Sequence, residues 1–286
     1  MNFGTYTAEN RTMKGNNTFM LKQFFKYIFQ SIAGMIGISV YILADTFFIS
    51  VHSGADGLAV LNLILPVYGV VYAIGAMIGI GSATRFGINR AKGENTDYYF
   101  LQSVFWSVLC SVPFMITGIL APEKFLHLLG ADAGLIALGK SYLRIMLITT
   151  PLFMTNYTFT AFARNDQGTS TAMTGAISAS LFNIVFDYIF MFPMKLGLAG
   201  AALATAISPA ITMAICTTHY LGKKNHVGFR WVRPSIRHVV SCCQLGISAF
   251  VGELSSAIIT IIFNMLLLGI AGNVSVAAYG VVANLS

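Results

Sequence analysis

The sequence predicts an all-α integral membrane protein, and three observations carry that prediction. Only 9% of its residues are charged and 56% are hydrophobic, against about a quarter charged in a soluble domain. Seven apolar stretches reach the roughly 20 residues that a helix needs to cross a bilayer. These stretches are continuous rather than alternating, which selects helices over a β-barrel, because a helix satisfies its own backbone in lipid. So few charges cannot solvate a globular surface, and the habit of one domain per ~150 residues does not apply.

Residues 1–22 are polar and read as an N-terminal tail. The apolar run behind them is too long for the core of a cleavable signal peptide and reads as a retained span. The spans fall near 24–50, 58–84, 99–121, 135–161, 172–193, 196–219 and 240–270. An eighth run begins near Val274 and reaches Ser286 after about 13 residues, too few to cross. This predicts a chain that stops inside a helix, either truncated there or ending on a short capping piece. The resulting divisions are the tail 1–22, a six-helix lobe 23–220, a basic linker 221–239, and 240–286, which holds a seventh helix and the start of an eighth.

The basic residues set the orientation. Arg11, Lys14, Lys22, Lys26, Arg85, Arg90, Lys92, Arg164, Lys223, Lys224, Arg230, Arg233 and Arg237 fall on one side of the predicted membrane. Lys124, Lys140, Arg144 and Lys195 fall on the other. The larger group belongs inside, so the N-terminus is expected in the cytoplasm of a multi-pass cell-membrane protein. The net charge of +7 then reflects loop asymmetry and not nucleic-acid binding. The linker LGKKNHVGFRWVRPSIRHV joins two bundles, with Trp231 and its arginines near headgroups. A weak internal repeat agrees: a small-residue turn around Gly54 leads into a new span, as does another around Gly272.

Ionisable groups inside spans are the informative exceptions, since each costs roughly 2.5–3.5 kcal/mol at mid-bilayer. Asp45, Asp187 and Glu253 are such groups, whereas Asp56, Glu123 and Asp132 sit near span ends. Tyr41 and Asp45 are four apart and share a helix face, as do Asn183 and Asp187. Thr205 lies in the small-residue run GLAGAALATAIS. Two carboxylates, an amide and a hydroxyl facing one cavity suit a hard cation. They equally suit a proton, because burial favours the neutral carboxyl. Glu253 has no obvious partner in the sequence. Gly75 with Gly79, and Gly200 with Ala204 and Ser208, have the spacing of close helix packing; Gly79-Ile-Gly81 is not a nucleotide loop. Arg85, Arg90 and Arg164 end spans. Arg90 reads as an anchor, while Arg85 and Arg164 are open to a gating role. The four cysteines, Cys110, Cys216, Cys242 and Cys243, read as small apolar residues. The five histidines lack metal-ligand spacing, and no catalytic motif appears, so the chain is not read as an enzyme.

Four segments together resemble the multidrug and toxic compound extrusion (MATE) family, in its bacterial DNA-damage-inducible and multidrug-efflux branch. They are LADTFFIS, GIGSATRFGINRAKGE, ARNDQGTSTAM and NIVFDYIFMFPMKLGLAGAALATAIS, in order along the chain. The resemblance implies the six-helix N-terminal lobe of a twelve-helix transporter, plus the seventh helix and part of the eighth. It implies a secondary antiporter that exports organic cations or amphipathic drugs against protons or sodium, with no other cofactor. It also implies that Asp45, Asn183, Asp187 and Thr205 form the coupling site, for sodium or for a proton, with Tyr41 in the cavity beside it. Glu253 resembles the coupling acid of the seventh helix. The sequence departs from the family in lacking a proline around Gln30 and in lacking most of a second lobe. Partners implied are the drug, membrane lipid and that second lobe. Alternatives are a lipid-linked precursor flippase of the same superfamily, for which Arg144 is the embedded cation, and a non-transporting truncated membrane protein.

Overall fold

The computed structural model describes the backbone of residues 3–223 and 225–285. Side chains are described from Phe25 to Leu267 and at Tyr279, except at positions 26, 27, 31, 35, 38, 224 and 264. The side chains of Arg11, Lys14, Lys22, Lys26, Lys224 and Val274, named above, lie outside that set. The described chain is helical, in eight elements: α1 (Phe3–Ala91), α2 (Tyr99–Leu120), α3 (Pro122–Leu128), α4 (Ala133–Ile148), α5 (Thr150–Asn165), α6 (Thr169–Met191), α7 (Leu198–Tyr220) and α8 (Ile236–Leu285).

The length of α1 demands a turn inside it. Its apolar part, Ile28–Ala91, has 64 residues, about 96 Å as a straight helix against a core of roughly 30 Å. Gly54 supplies the turn with φ 61° and ψ −149°, a region that side chains other than glycine's rarely enter. The packing register shows that the direction reverses there. Gly37 meets Ile177 and Ser180 while Phe48 meets Tyr188 and Phe192, so the first half of α1 runs parallel to α6. Gly75 meets Met154 and Gly79 meets Tyr157 and Thr158, so the second half runs parallel to α5. Thr155 reaches Met213 and the Tyr220 hydroxyl donates to the Phe159 carbonyl, which sets α7 parallel to α5. Gly175 against Thr212 and Gly200 against Phe190 set α6 antiparallel to α7. The two halves of α1 therefore point opposite ways.

Five described helices are long and apolar enough to cross a membrane, and the pair α4 and α5 makes a sixth across a 46° bend. With the reversal in α1, all seven expected spans are present. Two features were not expected: the short helix α3, and the break at Thr149 in the fourth span, where Pro151 sits in the first turn of α5. Asp132 is the N-cap of α4, accepting from the Leu135 N–H at 2.8 Å, as suits a span-end acid. Helix α8 begins at Ile236, inside the stretch expected as linker. The Phe263 and Tyr279 rings stack at 5.0 Å, although a straight helix would separate residues 16 apart by about 24 Å. The chain thus turns back between them, where the sequence expects a turn at Gly272.

Small residues mark the crossings. A Cβ on Gly79 would come within 2.7 Å of the Thr158 N, one on Gly75 within 2.9 Å of the Met154 Cα, and one on Gly200 within 2.8 Å of the Phe190 carbonyl carbon. Lipid gives helices little hydrophobic reason to associate, so this backbone proximity and its dispersion contacts hold the bundle. Cys216 and Cys242 are buried, and all four cysteines are free thiols.

Candidate cation site

The two pairings of α6 build the site. Its parallel run with the first half of α1 brings Asp45 level with Asp187. Its antiparallel run with α7, through Ser208 donating to the Ala179 carbonyl at 3.4 Å, brings Asn183 opposite Thr205. Asp45 is 8% exposed, Asn183 1% and Asp187 0%. The two carboxylates are close enough to interact electrostatically, and Tyr41 interacts with both.

Hydrogen bonds fix part of this group. Asn183 Nδ2 and Oδ1 are distinguished by their neighbours. In the orientation that sets no acceptor against another, Nδ2 donates to Asp187 Oδ2 at 3.0 Å. Oδ1 then accepts from the Thr205 N–H at 3.3 Å and from its hydroxyl at 3.2 Å. Asp45 Oδ1 and Asp187 Oδ1 remain without a hydrogen-bond partner among the described residues. Buried carboxylate oxygens left open are costly unless they take a proton or a cation. Two buried carboxylates with open oxygens suit a hard cation as well as a proton. One to two turns beyond Asp45, rings pack between α1 and α6: Phe48 lies 6.0 Å from Tyr188 and 6.2 Å from Phe192, and His52 lies 5.8 Å from Phe192.

Glu253 lies apart from this group, on α8. Contrary to the sequence reading it has a partner: the Tyr157 hydroxyl donates to Glu253 Oε1 at 3.4 Å.

The sequence reading did not single out a third buried carboxylate, Asp166. The Asp166 side chain, in the α5–α6 turn, is 0% exposed. Arg90 Nη1 lies 2.6 Å from its Oδ1, and His219 Nε2 lies 3.0 Å from its Oδ2. The His226 N–H donates to Oδ2 at 2.9 Å, and His226 Nδ1 lies 3.1 Å from Oδ1. This corrects the assignment of the arginines: Arg90, read as an anchor, makes the ion pair. The signal was the Asp within ARNDQGT and two histidines seven residues apart, but only folding shows that they converge. The nitrogens sit at hydrogen-bonding distance from the carboxylate, and among the described residues no three His, Cys, Asp or Glu side chains are arranged to hold a metal ion. Arg144 is exposed on the bundle surface and offers no interior cation. In the linker, the Arg230 N–H donates to the Asp97 carbonyl at 3.0 Å and Gln102 Nε2 to the Val232 carbonyl at 2.7 Å. Trp231 is exposed, with its ring 5.8 Å from Phe105.

Fold and site together define a multi-pass helical membrane protein that carries carboxylates inside its bundle. The chain belongs to the MatE family, whose model matches residues 31–189. The multidrug export protein MepA of Staphylococcus saprophyticus subsp. saprophyticus is 27% identical over 248 residues, which are 85% of this chain and 54% of that protein. MepA of Staphylococcus haemolyticus is 25% identical, with the same coverage of each chain. The chain therefore spans about half the length of the curated relatives it matches. The solved structure of the MATE multidrug transporter DinF-BH superposes with a TM-score of 0.81 at 25% identity, over 91% of this chain and 60% of that one. An inward-facing multidrug resistance MATE family transporter gives 0.78 at 23% identity, over 89% and 60%, a likeness of fold.

Proposed function

We propose that this chain forms the N-terminal, ion-binding portion of a secondary antiporter that exports organic cations or amphipathic drugs in exchange for protons or sodium. The observation that carries the reading is the pair of open carboxylate oxygens on Asp45 and Asp187, buried at one level of the bundle. Asn183 orients Asp187, Thr205 orients Asn183, and Tyr41 lines the cavity. Glu253 is a second coupling acid on α8. An ion bound between the two carboxylates draws α1 and α6 together, and its release relaxes them; this is how binding energy reaches the helices. The protein acts as a transporter and not as an enzyme, as its family membership supports.

The orientation follows from the same charges as before. The end that gathers Arg90, Asp166, His219 and the linker is cytoplasmic, and the N-terminus lies with it. The six-helix lobe 23–220, the linker and the segment 240–286 then act as the divisions expected from the sequence, with a second lobe as the partner that completes a cleft for cargo and lipid around both. The relatives' drug export favours a cationic or amphipathic cargo. Acids inside the bundle and an exposed Arg144 disfavour a phosphate-bearing lipid.

Ethidium efflux from cells expressing the protein with a second lobe tests the reading, and a vesicle assay for lipid flipping tests the other cargo. Gradient-driven efflux should disappear in both Asp45→Asn and Asp187→Asn. Wild-type efflux in both variants would refute the assignment.

A further inference from the structure

We propose that Tyr157 is a positioning residue for Glu253. Its hydroxyl holds that carboxylate in the seam between α8 and the six-helix lobe, and its ring packs against that of Tyr72. The functional consequence rests on the coupling reading above, while the geometry stands without it.

The seam has a definite register. A Cβ on Gly81 would meet the Cys242 carbonyl oxygen at 2.3 Å, one on Gly246 would meet the Met77 carbonyl oxygen at 2.1 Å, and one on Gly69 would meet the Ala257 Cβ at 2.4 Å. The second half of α1 and α8 therefore run antiparallel with their backbones in contact, which puts Glu253 level with Tyr72. The Tyr72 ring lies 5.9 Å from that of Tyr157 and 5.8 Å from that of Tyr68. Tyr157 in turn is fixed by the α1–α5 crossing, since a Cβ on Gly79 would lie 2.7 Å from the Tyr157 carbonyl carbon. Donor and acceptor are thus both set by close backbone crossings on α1: Gly79 at the donor itself, and Gly69 one turn past the acceptor.

A phenol suits this position. It donates a hydrogen bond to an intramembrane acid without adding a second charge that would itself need a partner. Donor and acceptor stand on opposite sides of the seam, so Glu253 keeps this contact only while α8 lies against the lobe. Movement of α8 away from α1 would break the Tyr157 contact.

Infrared spectroscopy of the purified chain reads this contact directly. At low pH the protonated carboxyl stretch lost in Glu253→Gln should move to higher wavenumber in Tyr157→Phe, where its carbonyl loses a donor. It should stay in place in Tyr188→Phe. Glu253→Leu removes the acceptor and reads the contact from the other side, through a changed phenol band, which keeps the test decisive if Tyr157→Phe does not fold. A carboxyl region identical in wild type and Tyr157→Phe overturns the proposal, as does a phenol band indifferent to Glu253→Leu. The transport arm is separate. Tyr157→Phe should shift the pH profile of efflux while retaining part of the activity that Glu253→Gln removes. Absence of efflux in the wild type would count against the coupling reading and leave the infrared result standing.

Discussion

Asp187 and Asp166 are both withdrawn from solvent, one on α6 and the other in the turn that precedes it, yet their surroundings differ in kind. Asp166 is met by an arginine, two histidine rings and a backbone N–H. Asp187 is met by Asn183 on one oxygen, with the other left open. A saturated carboxylate has no capacity left for a ligand. It works as a clamp, here joining the end of α1, the α5–α6 turn, the end of α7 and the linker. An open carboxylate beside a second one destabilises the empty bundle, and it persists where an ion or proton completes it. The number of partners, more than the depth of burial, separates a scaffold carboxylate from a candidate site.

The largest effects should come from removing the open charges. The double variant Asp45→Asn/Asp187→Asn should lower ion affinity by at least about tenfold, or ~1.4 kcal/mol, with no loss of thermal stability. Isothermal titration and a melting curve check the two halves of that statement. Asp166→Asn should do the reverse. It leaves Arg90 without its partner and should destabilise the chain toward the lower end of about 3–5 kcal/mol, since Arg90 is partly exposed, while ion affinity changes little. The buried thiols of Cys216 and Cys242 report this in a thiol-reactive melting assay. Gly79→Val places a Cβ against backbone that cannot yield and should cost about 1–3 kcal/mol, read by the same melt. Smallest is Thr205→Val, which removes a hydroxyl from Asn183 but leaves the Thr205 N–H. About 1 kcal/mol, or roughly fivefold in ion affinity, is expected in titration.

The sequence made the spans legible because apolar length and charge scarcity are properties of single segments. It also made Asp45, Asp187, Tyr41 and Asn183 legible, since a charge in an apolar run and a four-residue spacing can be read without tertiary structure. What it hid depends on elements far apart in the chain. Asp166 has no local mark, and only the fold brings Arg90, His219 and His226 to it from three other segments. Tyr157 is one of 12 tyrosines, and only the seam places it against Glu253. The break at Thr149 had a local sign in Pro151, but a run of apolar residues on both sides concealed it.

The most direct test of the central claim is cation binding by the purified chain. Sodium-22 binding at equilibrium, together with proton uptake across a pH step, covers both coupling ions. The account predicts a saturable signal in at least one of the two measurements. That signal should be lost in Asp45→Asn/Asp187→Asn and retained in Asp166→Asn at a temperature where that variant is folded. Undiminished binding and uptake in the double variant would contradict it.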